Sequence, residues 1–156
     1  MTIAIESLSL LELKAFLREQ ALDVFPALQD ENRLTMLAEK WHTHAEFCTC
    51  RDESHMLVGM IAFYANEPES KEAFIPHVYV SPRHRRQGLF TLMLEKVMSV
   101  AQDRRFERIK LEVQKSNYRA QQSYLKNGFQ FTASDSADHD SIFMNKTIGQ
   151  NALHTK

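Results

Sequence analysis

The stretch VYVSPRHRRQGLFTLMLEKV constrains this chain more than any other. Apolar residues alternate from Ala73 to Val80, which predicts a strand. Pro82 has no amide hydrogen to give to a ladder, so the strand must stop before it. A long helix is expected over Gly88–Arg104, with Met93, Leu94 and Val97 at helical spacing in its core stripe. Between strand and helix lies a basic loop carrying Arg83, His84, Arg85 and Arg86, followed by Gln87 and Gly88. Gly88 is one of only 4 glycines in 156 residues. The first N–H groups of a helix have no partners within the helix, and the helix dipole is positive at that end. A glycine there lets the backbone approach a bulky anion where a Cβ would intrude. The guanidinium groups of Arg85 and Arg86 suit phosphate oxygens. Two readings follow from charge and geometry: a cradle for a pyrophosphate, or a solvated basic loop capping a helix. The loop lacks the second glycine and the Lys-Ser/Thr pair of a Walker loop, and it lacks the G-x-G-x-x-G of a dinucleotide site.

The flanking chain supplies a mixed set of elements. Ser9 with Glu12 predicts a capping box before a helix over Leu10–Asp23, broken near Pro26. A second helix is expected over Arg33–His44, with Leu34, Leu37, Ala38 and Trp41 buried. Strands are expected over Phe47–Thr49 and Met56–Tyr64, joined by a turn at Arg51–Ser54. Ile109, Leu111 and Val113 alternate in a further strand. A short helix over Asn117–Asn127 should close at Gly128 with a left-handed residue. Phe129–Thr132 and Ser141–Thr147 read as a closing antiparallel pair. The order of helices and strands indicates a mixed α/β sandwich, and the length fits one domain over residues 1–156. A formal net charge of −1 gives no bulk attraction for nucleic acid or anionic membrane. No apolar run reaches the ~18–20 residues that span a bilayer, and the N-terminus has no secretory pattern. A cytoplasmic protein without nucleic-acid or membrane partners is the expectation. Cys48 and Cys50 are too few for a disulfide framework.

A second segment, NYRAQQSYLKNGFQF, sharpens the first. It carries Asn117, Ala120, Tyr124, Gly128 and Phe129 in the pattern N-x-x-A-x-x-x-Y-x-x-x-G-F. Val80, Pro82, Arg85 and Gly88 supply V-x-P-x-x-R-x-x-G before it. With both patterns in order, separated by one helix and one strand, the chain resembles the GNAT acetyltransferase superfamily from about Ala73 to Phe131. The resemblance is weak over the first 50 residues.

That resemblance implies a mostly antiparallel central sheet with splayed central strands and helices on both faces. It implies acetyl-CoA as co-substrate, an amine acceptor, no metal, and leaves a homodimer open. The pyrophosphate would lie on the backbone of Arg85, Arg86, Gln87, Gly88, Leu89 and Phe90. The pantetheine arm would run beside Val78, Tyr79 and Val80, and Asn117 would contact it. Tyr124 would lie near the cofactor sulfur. The usual loop reads R-x-x-G-x-G/A, and Phe90 departs from it in the last position. A phenyl ring there must point away from the phosphates, or the helix must enter at a shifted angle.

The chemistry so implied needs three things of the protein. A backbone N–H at Val78 would stabilise the oxyanion formed when an amine attacks the thioester. Tyr124, protonated at neutral pH, would give a proton to the leaving thiolate; the other reading is a packed aromatic on a helix face. A base must take the amine proton. The position where relatives carry a glutamate is Phe74. His77 is the nearby group that titrates in the useful range, or else a packed strand histidine; Glu72 acting through water is a further candidate. A non-catalytic acyl-CoA-binding module is the alternative reading of the whole chain.

Two remaining features bear on ligands. His42, His44, Glu46, Cys48 and Cys50 alternate like metal ligands, but five alternate positions on one extended strand span too far to meet at one ion. The resemblance places the acceptor against segments matching Asp23–Arg33 and Ser134–Asp140. The second of these, with three aspartates and a histidine, would suit a cationic or hydroxyl-rich acceptor, or form a solvated hairpin loop.

Overall fold

The computed structural model describes residues 1–23, 25–135 and 140–149. The chain is mixed α/β, with a mostly antiparallel sheet of seven strands in the order β1-β2-β3-β4-β5-β7-β6 and four α-helices. It divides into two compact units. One holds Met1–Tyr64 with His77–Lys96; the other holds Ala65–Pro76 with the described residues from Val97 onward.

The first unit begins with a strand that no motif or pattern above predicts, β1 (Thr2–Glu6). It lies antiparallel to β2 (Glu46–Arg51), with Ile5 opposite Cys48. β2 in turn pairs antiparallel with β3 (Leu57–Tyr64), with an irregularity between Cys50 and Arg51. Helix α1 (Leu10–Ala21) starts at Ser9, whose hydroxyl accepts the Glu12 amide at 3.1 Å. Only half of the expected capping box forms, because the Glu12 carboxylate turns to Arg51 at 2.8 and 3.0 Å. Pro26–Gln29 forms a 3-10 turn. Helix α2 (Glu31–His44) begins earlier than its apolar stripe suggested, because Asp30 caps the amides of Asn32 and Arg33.

Leu13, Phe16 and Leu17 of α1 and Leu34, Ala38 and Trp41 of α2 form one core with Phe47, Met60, Ala62 and Tyr79. Leu17 and Leu34 are fully buried, so truncating either to alanine should cost about 2–5 kcal/mol. The other face of β2 and β3 carries the start of helix α3 (Leu89–Asp103). There a Cβ on Gly59 would lie 3.1 Å from the Met93 methyl, so glycine sets that close approach. The strand β4 (Glu72–Val80) enters this unit at His77. Ala73, Ile75, His77 and Tyr79 alternate as its buried residues.

In the second unit, the first residues of β4 run parallel to β5 (Arg108–Gln114), from Glu72 opposite Arg108 to Ile75 opposite Leu111. β5 pairs antiparallel along its length with β7 (Ser141–Thr147), and β7 pairs with β6 (Gln130–Asp135). Helix α4 (Tyr118–Lys126) ends as its sequence predicts. Gly128 adopts φ +93°, and the amides of Gly128 and Phe129 return to the carbonyls of Leu125 and Tyr124, both at 3.0 Å. Lys146 Nζ donates to the Asn127 carbonyl at 2.7 Å and covers this turn. Ile109, Leu111, Phe129, Met144 and Ile148 are the centre of the unit's core.

Candidate functional site

The loop after β4 is built by local backbone geometry. The Ser81 amide donates to the Val58 carbonyl at 2.8 Å, which anchors the strand exit. Pro82–His84 then forms a single 3-10 turn. Arg86 follows with φ +65° and Gly88 with φ +76°. Two left-handed residues with Gln87 between them turn the backbone just before α3. A Cβ built on Gly88 meets nothing within 4 Å, so its outer side is open space at the mouth of a helix. The Gly88 carbonyl accepts the Leu92 amide at 3.1 Å, which makes it the first acceptor of α3. The helix is 15 residues long and has no acidic side chain in its first turn to oppose an anion. Leu89 is buried, Phe90 half-buried, and Arg86, Gln87 and Gly88 exposed.

Arg85 differs from Arg86. Its Nε donates to the Val80 carbonyl at 2.8 Å, and its terminal nitrogen pairs with the Asp23 carboxylate. Its guanidinium carbon lies 5.5 Å from the centre of the Tyr79 ring. Tyr79 donates its hydroxyl to the same Asp23 oxygen at 2.8 Å. Burial, then the Asp23 carboxylate, raises the Tyr79 phenol above its ordinary value. Tyr79 therefore points into the α1 face, while Val78 and Val80 are half-buried on the other side of the strand.

His77 sits two residues before Tyr79 and shares its face. The imidazole is 8% exposed, between Phe25 and Trp41 at ring-centre distances of 4.9 and 4.8 Å. Its Nε2 lies 2.5 Å from Gln20 Oε1. Burial pushes its pKa down to about 4, so the ring is neutral at neutral pH. The expectation of a titration in the useful range gives way to this, because the strand aims the ring into the core beneath α1 and α2.

The second unit holds the other motif. Asn117 is the N-cap of α4, and its Oδ1 accepts the Ala120 amide at 3.1 Å. Tyr124 is half-buried and packs on Phe129 at 5.8 Å between ring centres. Burial raises its pKa to about 12, so the hydroxyl keeps its proton across the neutral range. Glu72 lies between Arg108 at 3.5 Å and Lys110 at 3.3 Å.

The alternating His/Cys series is dispersed. His42 is on α2 with Nδ1 3.1 Å from the Leu8 carbonyl. Cys48 and Cys50 are buried in β2, and burial lifts the Cys48 thiol to about 12. Among the described residues no group of three His, Cys, Asp or Glu side chains is placed to hold a metal. In the expected acceptor segments, Val24 and residues 136–139 lie outside the described residues. No helix among the described residues is long and apolar enough to cross a membrane.

Comparison with known proteins decides the family. The profile of the acetyltransferase (GNAT) family matches residues 11–129, which includes the loop and both motifs. The chain belongs to that family. Solved structures agree in fold. A GNAT-family acetyltransferase from Staphylococcus aureus Mu50 is similar at 18% identity and TM-score 0.74, over 94% of this chain and 99% of that one. The PaiA N-acetyltransferase of Thermoplasma acidophilum, solved with coenzyme A, is similar at 17% identity and TM-score 0.72, over 94% and 99%. A spermidine N-acetyltransferase from Vibrio cholerae is similar at 13% identity and TM-score 0.68, over 100% of both. Among curated proteins no sequence match is significant. Sequence reasoning missed Gln20 in this GNAT chain, and named Asp23 only as the start of an acceptor segment, not as the partner of Tyr79 and Arg85. Neither belongs to a motif, and each acts on a residue of β4 or its loop from the C-terminal end of α1.

Proposed function

We propose that this chain is a cytoplasmic N-acetyltransferase that moves the acetyl group of acetyl-CoA to a primary amine, by direct attack with both substrates bound. The observation that carries the reading is Gly88: left-handed, open on its outer side, and at the mouth of a helix that lacks first-turn acids. Backbone N–H groups at such a helix start bind phosphate oxygens without needing a side chain. Phe90 is compatible with this, since the amide of any residue serves. Acetyl-CoA, when bound, supplies a thioester carbonyl for attack.

The protein's own groups then have distinct tasks. The Val78 amide is the proposed oxyanion donor. Asn117 is proposed to contact the pantetheine arm, with its Oδ1 already committed to Ala120 and its Nδ2 left for that contact. Tyr124 gives a proton to the thiolate, and its raised pKa keeps that proton available. His77 is neutral and so offers a lone pair, but a pKa of about 4 makes it a weak base. Release of free thiol from acetyl-CoA in the presence of a panel of small amines, amino sugars and peptide amines tests the reading. Amine-dependent release supports it. Coenzyme A uptake with no release toward any amine selects the non-catalytic binding module instead.

A further inference from the structure

Arg85 occupies the arginine position of the family pattern, where charge alone assigns it to the phosphates. Its surroundings assign it elsewhere. The planar fork is used twice, on the Val80 carbonyl at the end of β4 and on the Asp23 carboxylate just beyond α1. Asp23 also holds the Tyr79 hydroxyl, and Tyr79 offers its ring to the same guanidinium. The Arg85 side chain is 32% exposed and that of Asp23 23%, so the pair is partly shielded from water. Tyr79 is itself fixed, with its ring edge-on to Phe16 at 5.6 Å. The three groups close a circuit around the point where the chain leaves β4 and begins the left-handed turn at Arg86 and Gly88. By contrast Arg86, the next residue, is exposed.

We propose that Arg85 is a positioning residue: with Asp23 and Tyr79 it clasps the root of the loop and holds the amides from Arg86 to Leu89 in their anion-binding arrangement. Arg86, exposed beside Gly88, is the side chain proposed to meet phosphate charge. This rests on the reading of the loop as a pyrophosphate site. A clasp of this kind requires a fork. Lysine keeps the charge but cannot donate in plane to a carbonyl and a carboxylate together. The clasp also makes donor binding depend on Asp23, a residue 62 positions earlier and outside both motifs.

Calorimetric titration with coenzyme A at several salt concentrations separates a clasp from a phosphate ligand. Affinity through exposed charge is screened by salt, and affinity through backbone amides much less so. For the clasp, Arg85→Gln, Arg85→Lys and Asp23→Asn each weaken coenzyme A by about tenfold, the cost of a lost charged hydrogen bond. Their salt slopes match the parent's, and the double variant is no worse than the weaker single. Arg86→Gln alone flattens the slope. The inference is overturned if Arg85→Gln flattens the slope, if Arg85→Lys binds like the parent, or if Asp23→Asn keeps parent affinity. A parent protein that takes up no coenzyme A defeats the proposed function. The clasp then stands or falls on hydrogen exchange of amides 86–92. Faster exchange in Asp23→Asn and Arg85→Gln supports it, and parent rates overturn it.

Discussion

His77 Nε2 lies 2.5 Å from Oε1 of Gln20, in a slot walled by Phe25 and Trp41. Both side chains are buried, and that burial fixes how this histidine answers to pH. Its folded pKa of about 4 is below the ordinary histidine value of 6.5. The unfolded chain therefore binds the proton more readily between those values. Stability from this group is complete above about pH 6.5 and is lost as pH falls toward 4. Urea midpoints should drop over that window, and the His77 ring signals should not titrate until about pH 4. A His77 titration midpoint near 6.5 would contradict the buried site.

Arg51 predicts a second acid-sensitive element. It bridges Glu6 at 2.9 Å and Glu12 at 2.8 Å, tying edge strand β1 to α1. The Arg51 hydrogen bond is the first cause of the lowered Glu6 pKa, with Thr49 adding to it. Stability from Glu6 is therefore present above its ordinary pKa and lost as pH falls through the lower folded value. Arg51→Met should cost about 1–2 kcal/mol, discounted for the solvent around Glu12. An unchanged urea midpoint would show that β1 is held by its ladder alone.

Much of this was legible because it is local. Gly128 and Phe129 close α4 through carbonyls three and five residues before them, respectively, and the sequence around them is enough to say so. The strand–loop–helix at Gly88 is likewise encoded by its own proline, glycine and apolar stripe. β1 was not legible, since its five residues owe their conformation to β2, more than forty residues later. The apolar stripe puts the start of α2 at Arg33, while Asp30 sets it at Glu31 through side-chain caps. Arg85 shows the limit most clearly. Its charge is in the motif, but its partner is at the end of α1, and only folding brings Asp23 to it. His77 is similar: a strand position tells which side a ring faces, not that two aromatic rings and an amide will enclose it.

Tyr124 carries the catalytic proposal. Tyr124→Phe removes one hydroxyl and keeps the ring on Phe129. Loss of a general acid should lower kcat by ~10²–10⁴-fold, with acetyl-CoA affinity nearly unchanged. Because its pKa is about 12, the parent rate should show no fall due to this group through neutral and mildly alkaline pH. A variant with parent kcat would make Tyr124 a packing residue and leave the thiolate to solvent.

Gly88 is where the account is most exposed to test. Its φ of +76° strains any side chain, by about 1 kcal/mol for alanine and more for a β-branched residue, yet a Cβ there meets no protein atom within 4 Å. Gly88→Val should therefore still fold, with its new atoms standing in the space where a pyrophosphate would approach. Coenzyme A titrated into the folded variant and the parent is the direct measurement. The account predicts binding by the parent and a loss in the variant far larger than its drop in stability. Equal affinity in the two proteins would remove this loop from the site and contradict the reading of the chain built on it.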